Sequence, residues 1–231
     1  MVLAGQQILL GRQRLDGEVS PGVWLDFTVS LLCHDIGFVP GICRHDRPGL
    51  VSGAVDEPNV SVTVGSCDAV LMPVHVDRGK RYVREQYADH PLVNAERVCE
   101  NIERTRFPVP EAHAYQATQD YPGLVRGADL IGQLSDLRYP WKLPALYYEF
   151  QENGMNAAAG YNAPADLLHA YPRFYHNSAL PFIQPALHYL EQTEEGRRIA
   201  QSLQTNLELA GEPDRLWARS ASRAPEPISA K

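Results

Sequence analysis

Leu31-Leu32-Cys33-His34-Asp35-Ile36-Gly37 decides how this chain is read. An apolar run from Phe27 to Cys33 leads into an adjacent imidazole and carboxylate, and a glycine follows two residues later. The run reads as a helix. Ser20 suits its N-cap and Pro21 its first helical position. Trp24, Leu25, Phe27, Thr28, Leu31 and Leu32 recur at helical spacing and predict a wide apolar face. His34 and Asp35 then fall at the C-terminal end, where Gly37 stops or turns the chain. An imidazole and carboxylates together suit a divalent ion such as Mn, Fe, Mg or Zn. The competing reading is a capping pair with no metal.

A second carboxylate far along the chain bears on that choice. Leu124, Val125, Ala128, Leu130, Ile131 and Leu134 predict an apolar-lined helix, and Asp129 stands among them. A buried aspartate is costly unless it is paired or binds a metal. Asp129 is therefore a partner for the His34-Asp35 doublet, or for Arg126 or Arg138.

The rest of the chain reads as helices around one long loop. Val2 to Leu10 predicts an opening helix, followed by Arg12-Gln13-Arg14, with no capping residue before it. That absence reads either as a frayed terminus or as a truncated or misplaced start at Met1. From Phe38 to Met72 the turn signals Pro40-Gly41, Pro48-Gly49 and Glu57-Pro58-Asn59 predict a loop. Val60 to Val64 alternates with period two, the mark of a short strand in a small hairpin. Helices are expected again over Pro73–Tyr87, Leu92–Arg104, Leu124–Leu134, Trp141–Phe150, Ala163–Ala170, Phe182–Leu190 and Glu194–Leu209. The fold class is all-α, with about seven to nine helices of ordinary length.

Composition narrows the function. The chain has 231 residues, 44% of them hydrophobic and 21% charged, enough for one substantial core. A formal charge of −7 argues against duplex nucleic acid or an anionic membrane as the main partner. It leaves room for a small phosphorylated substrate held by local cations or a metal, and leaves a homo-oligomer open. Cys33, Cys43, Cys67 and Cys99 form no CxxC pair, and Cys33 reads as a buried thiol. With no signal peptide or spanning run, the expected location is cytoplasmic.

The segment around His34-Asp35 resembles the central motif of the HD-domain metal-dependent phosphohydrolase superfamily. Leu124-Val125-Arg126-Gly127-Ala128-Asp129-Leu130-Ile131 is similar to its final motif, and the resemblance runs over about 24–150. Asp89-His90-Pro91 further resembles the His-Pro element of some two-metal members. The resemblance implies a helical bundle around one or two divalent ions, with His34, Asp35 and Asp129 as ligands. It implies attack of a metal-activated water on a phosphomonoester or phosphodiester, with nucleotides among the candidates. The domain is expected over 1–210, with its core over about 20–150 and a helical extension over 151–210. A disordered tail is expected over 211–231.

The chain departs from the family pattern in one respect: His34 is its first histidine, where the family has an earlier ligand. Gln6 or Gln7 stands near that position, or the ligand lay upstream of Met1. A bundle that has lost catalysis, as a scaffold or a nucleotide sensor, is the alternative. His75 and His90 are the next candidates, for a second ion or for substrate phosphate; each also has a structural reading in its own turn. Asp35, His90 and Arg126 are the groups expected to act in catalysis. Arg44, Arg47, Arg78, Lys80 and Arg81 join Arg126 as cations near these segments, most of them expected to be solvated charge. Asp77 and Glu96 are candidate proton shuttles or histidine partners. Tyr171-Pro172-Arg173-Phe174-Tyr175 is an aromatic cluster that could stack on a nucleobase but is expected to pack the extension onto the bundle.

Overall fold

A computed structural model describes residues 1–53, 59–63, 65 and 68–211. Among them are ten α-helices: α1 (Val2–Asp16), α2 (Pro21–Cys33), α3 (His75–Tyr87), α4 (Ala95–Glu103), α5 (Tyr121–Leu134), α6 (Tyr139–Glu152), α7 (Met155–Ala159), α8 (Pro164–Phe174), α9 (Leu180–Leu190) and α10 (Glu194–Gly211). The one sheet described is a hairpin, β1 (Leu50–Val51) antiparallel to β2 (Val60–Ser61). The chain is thus all-α with a small hairpin in its long loop. Val64 of the expected strand, Glu57-Pro58 of the expected turn, Cys67 and the tail beyond Gly211 lie outside the described residues. Gly211 itself belongs to α10, not to a tail.

Capping explains the helix starts. Ser20 accepts from the Val23 N–H with Pro21 at the first position of α2. Asn94 and Asp120 cap α4 and α5 in the same way. Asn94 is why α4 begins at Ala95 and not at Leu92, which is left 70% exposed. Leu32 is also turned outward, 63% exposed, so the buried face of α2 is narrower than its apolar residues suggest. Asp26 takes a buried position on α2 instead. It accepts from the Asn94 N–H at 2.9 Å and from Arg97 Nη1 at 2.6 Å, which ties α2 to α4.

Three apolar clusters make the interior. The principal one joins α1, α2, α5, α6, α8, α9 and α10 through residues such as Ile8, Phe27, Leu31, Ile131, Tyr171, Ile183 and Leu203. Helices beyond residue 151 therefore share the main core. Within it Tyr171 packs on Tyr139, ring centroids 5.1 Å apart. The second cluster joins the end of α2 to α3 and α4 through Cys33, Val76, Val83, Val98 and Ile102. The third, Val51, Leu71 and Val74, lies under the hairpin. Leu31 belongs to the first cluster and Cys33 to the second, and the His34-Asp35 turn follows directly on them.

A buried arginine fastens the long loop to this frame. Arg78 on α3 is wholly buried and spends all five of its N–H groups. They go to Gly37 O, Val39 O, Ser52 O and both carboxylate oxygens of Asp46, at 2.8–3.0 Å. Asp46 also accepts from the N–H groups of Ser52, Cys43 and Gly41. Burial alone would raise the Asp46 carboxyl, but the Arg78 and backbone bonds outweigh it and hold it well below the ordinary range. A carboxyl depressed on folding adds stability above its unfolded pKa, about 3.9, and that stability is lost as pH falls towards the folded value. Asp46→Asn should accordingly flatten the decline of the denaturation midpoint below about pH 4. An unchanged acid limb would show that this pair does not govern acid sensitivity.

Candidate functional site

The doublet is presented by the way α2 ends. The helix ends at Cys33 with His34 as its C-cap still in helical geometry, the backbone leaves that geometry at Asp35, and a 3-10 turn follows over Ile36–Phe38. Gly37 matters here for close approach. A Cβ on it would lie 1.9 Å from His75 O and 2.8 Å from Gly79 N, and its φ is not among the positive ones. It is the point where the doublet's turn rests directly on the backbone of α3, and its own carbonyl is held by Arg78. Gly37→Ala is expected to cost about 1–3 kcal/mol, the usual range for overpacking, and to disturb the doublet. Thermal and denaturant unfolding of the variant check this; wild-type stability would contradict it.

His34 is 6% exposed and its ring is held at both nitrogens. Nδ1 donates to Leu31 O at 3.2 Å, which directs Nε2 away from its own helix. Nε2 lies 3.0 Å from Asp35 Oδ2 and 3.2 Å from Asp129 Oδ1. Asp129 comes from α5, and it pairs with His34, not with Arg126 or Arg138. Burial works against charge on the ring, but the bonds to Asp129 and Asp35 prevail and lift its pKa to about 10. For Asp35, burial is likewise opposed and outweighed by His34, and the carboxyl is lowered. The three side chains form a hydrogen-bonded triad with the His34 proton between two carboxylates. Among the described residues no group of three or more His, Cys, Asp or Glu stands preassembled as a metal cage.

His75 opens α3 beside this triad. Its ring stacks on Phe38, centroids 4.2 Å apart, and Nδ1 donates to Met72 O at 2.6 Å. The tautomer this fixes leaves a lone pair on Nε2. Burial is the main influence on the ring and lowers its pKa, with Asp35 and His34 close enough to act on it. His75 thus joins the group electrostatically as a neutral imidazole.

The other candidates stand elsewhere or are already engaged. His90 Nδ1 accepts from the N–H groups of Leu92 and Val93 at 3.2 and 3.1 Å, which ties it to the turn before α4. Arg126, 2% exposed, donates to Tyr115 O and Ala117 O and lies 4.3 Å from the Phe182 ring centroid. Burial is the first cause of its pKa falling to about 10. Glu96 forms a surface fork with Arg84. Asp77 is bonded to Arg106 and Lys80. Arg44 gives its backbone N–H to Glu85, and Arg47 lines a surface cleft by the hairpin. Gln6 bonds to Trp24 and Thr28 between α1 and α2, not to His34. The start of α1 does reach α5: a Cβ on Gly132 would lie 2.2 Å from Met1 Cα, one turn from Asp129.

A family model described as Npun_R2479-like matches residues 1–211. The chain belongs to that family. The match takes in every helix described, α1 to α10, so the triad and the later helices are parts of one family unit. No curated protein and no solved structure matches the chain. No helix among the described residues is long and apolar enough to cross a membrane.

Proposed function

We propose that the chain is a metal-dependent phosphohydrolase of the HD type, acting on a phosphomonoester or phosphodiester, with nucleotides among the candidates. The reading is carried by the meeting of His34 Nε2, Asp35 and Asp129 from distant parts of the sequence. One imidazole and two carboxylates are donors of the right kind for Mn, Fe, Mg or Zn. They fit because the Leu31 carbonyl already orients Nε2 towards both carboxylates, and loss of its proton leaves a lone pair facing them. His34, Asp35 and Asp129 would hold the ion, with His75 Nε2 as a further donor. When bound, such an ion acidifies a water and neutralises charge developing on phosphoryl oxygens.

The chain's own groups have separable roles. Asp35, with 59% of its side chain exposed, faces arriving substrate; Asp129, at 26%, lies deeper and anchors His34. The single Nε2 lone pair of His75 serves one purpose: it ligates the ion or, where His75 is not a ligand, it takes a proton from the attacking water. Phe38 and the Met72 carbonyl keep that nitrogen oriented. The test is hydrolysis of p-nitrophenyl phosphate and bis(p-nitrophenyl) phosphate by purified protein with Mn, Fe, Mg or Zn added in turn. Turnover of either supports the reading, and absence of turnover with every one of the four metals opposes it.

A second reading is a scaffold or nucleotide sensor that keeps the bundle without turnover. It draws support from α1, which carries no histidine and whose Gln6 is committed to Trp24 and Thr28. Thermal stabilisation by nucleotides in a protein that hydrolyses none of them would favour it.

A further inference from the structure

Next to His75 lies a bonded group that the triad does not use. Asp77, two residues along α3, accepts from Arg106 Nη2 at 2.6 Å and pairs with Lys80 at 2.9 Å. Glu103, at the end of α4, accepts from Arg106 Nε at 2.5 Å and Nη2 at 3.1 Å, from Tyr115 Oη at 2.6 Å, and from Lys80. Lys80 therefore bridges the two carboxylates, and so does Arg106.

The two carboxylates grip its guanidinium along Nε and Nη2. No hydrogen bond among the described residues reaches Nη1. The side chain is 24% exposed. Its charge is near enough to weigh on the His75 ring, as is that of Asp35. A partly exposed arginine is thus held in one orientation, with its Nη1 donors to spare, by Asp77, two residues from His75 on α3. Such donors match phosphate oxygens well, because the guanidinium is planar, always charged and weakly hydrated.

The geometry points to Arg106 as the anion-recognition residue of this site, its Nη1 donors taking non-bridging oxygens of a phosphomonoester dianion. Asp77 and Glu103 are its positioning residues. The preference for a monoester rests on the phosphohydrolase reading; binding of a phosphate anion does not. A terminal phosphate carries about −1.5 to −2 charge at neutral pH and presents three acceptor oxygens, so it gains more from this contact than a singly charged diester.

The test is calorimetric binding of inorganic phosphate to the full chain with Mn present, for wild type, Arg106→Gln, Arg106→Lys and the surface control Arg198→Gln. Wild type and Arg198→Gln should bind alike. Arg106→Gln should bind about tenfold or more weakly, the scale of one lost charge-assisted contact, with circular dichroism unchanged. Arg106→Lys, which keeps the charge, should recover part of the loss and guards against a folding defect in the glutamine variant. If esters are hydrolysed, Arg106→Gln should raise KM for the monoester more than for the diester, with kcat less affected. No phosphate binding in wild type, or equal binding in Arg106→Gln, overturns the inference. Phosphate binding through Arg106 without turnover of any ester leaves the anion site standing and removes the phosphohydrolase reading.

Discussion

Arg78→Ala is expected to lose about 3–5 kcal/mol of folding stability, the cost of stranding one partner of a buried ion pair. The replacement leaves Asp46, 1% exposed at its side chain, without its counter-ion. It also strips donors from Gly37 O, Val39 O and Ser52 O. The damage should spread from the loop to the site, because Gly37 is two residues from Asp35. Denaturant unfolding gives the stability change directly. Arg78→Lys should recover only part of it, since an ammonium has three donors for a site that uses five. A loss below about 1 kcal/mol would mean that the loop is held mainly by other contacts.

On the proposed function, Asp35→Ala is expected to abolish metal binding and lower the proposed phosphohydrolase activity by well over 100-fold, more than the loss typical of a residue that only supports a ligand. Its effect on stability should be small, because the side chain is 59% exposed. That contrast separates it from Arg78→Ala, where activity and stability should fall together. Full activity in a stable Asp35→Ala protein would assign the carboxylate a capping role and no more.

The helical plan was legible because apolar spacing and caps act over short distances. Ser20-Pro21 marked the start of α2, and the apolar positions of α5 exposed Asp129 as an anomaly needing a partner. Its meeting with His34 and Asp35 followed from the resemblance of two motifs, since no local rule brings residues so far apart together. Other features depend on which element lands beside which. Leu32 and Leu92 are apolar by type, but their neighbours leave them in solvent. Gly37 read as a helix stop, whereas its lack of a side chain is required by the carbonyl of His75. Arg78 was one of six ordinary cations until the loop carbonyls and Asp46 closed round it. Arg106, which carried no signal of its own, gains one only from Asp77 and Glu103. His90 shows the reverse case: a residue drawn in by a short motif that the turn before α4 employs for its own backbone.

The most direct test of the central claim is the metal content of the purified chain, measured by elemental analysis after loading with Mn, Fe, Mg or Zn and removal of free ion. The account predicts at least one divalent ion retained per wild-type chain for one of these metals, and none retained by folded Asp35→Ala or Asp129→Ala. Equal retention by wild type and both variants, or no retention of any of the four metals by wild type, would contradict it.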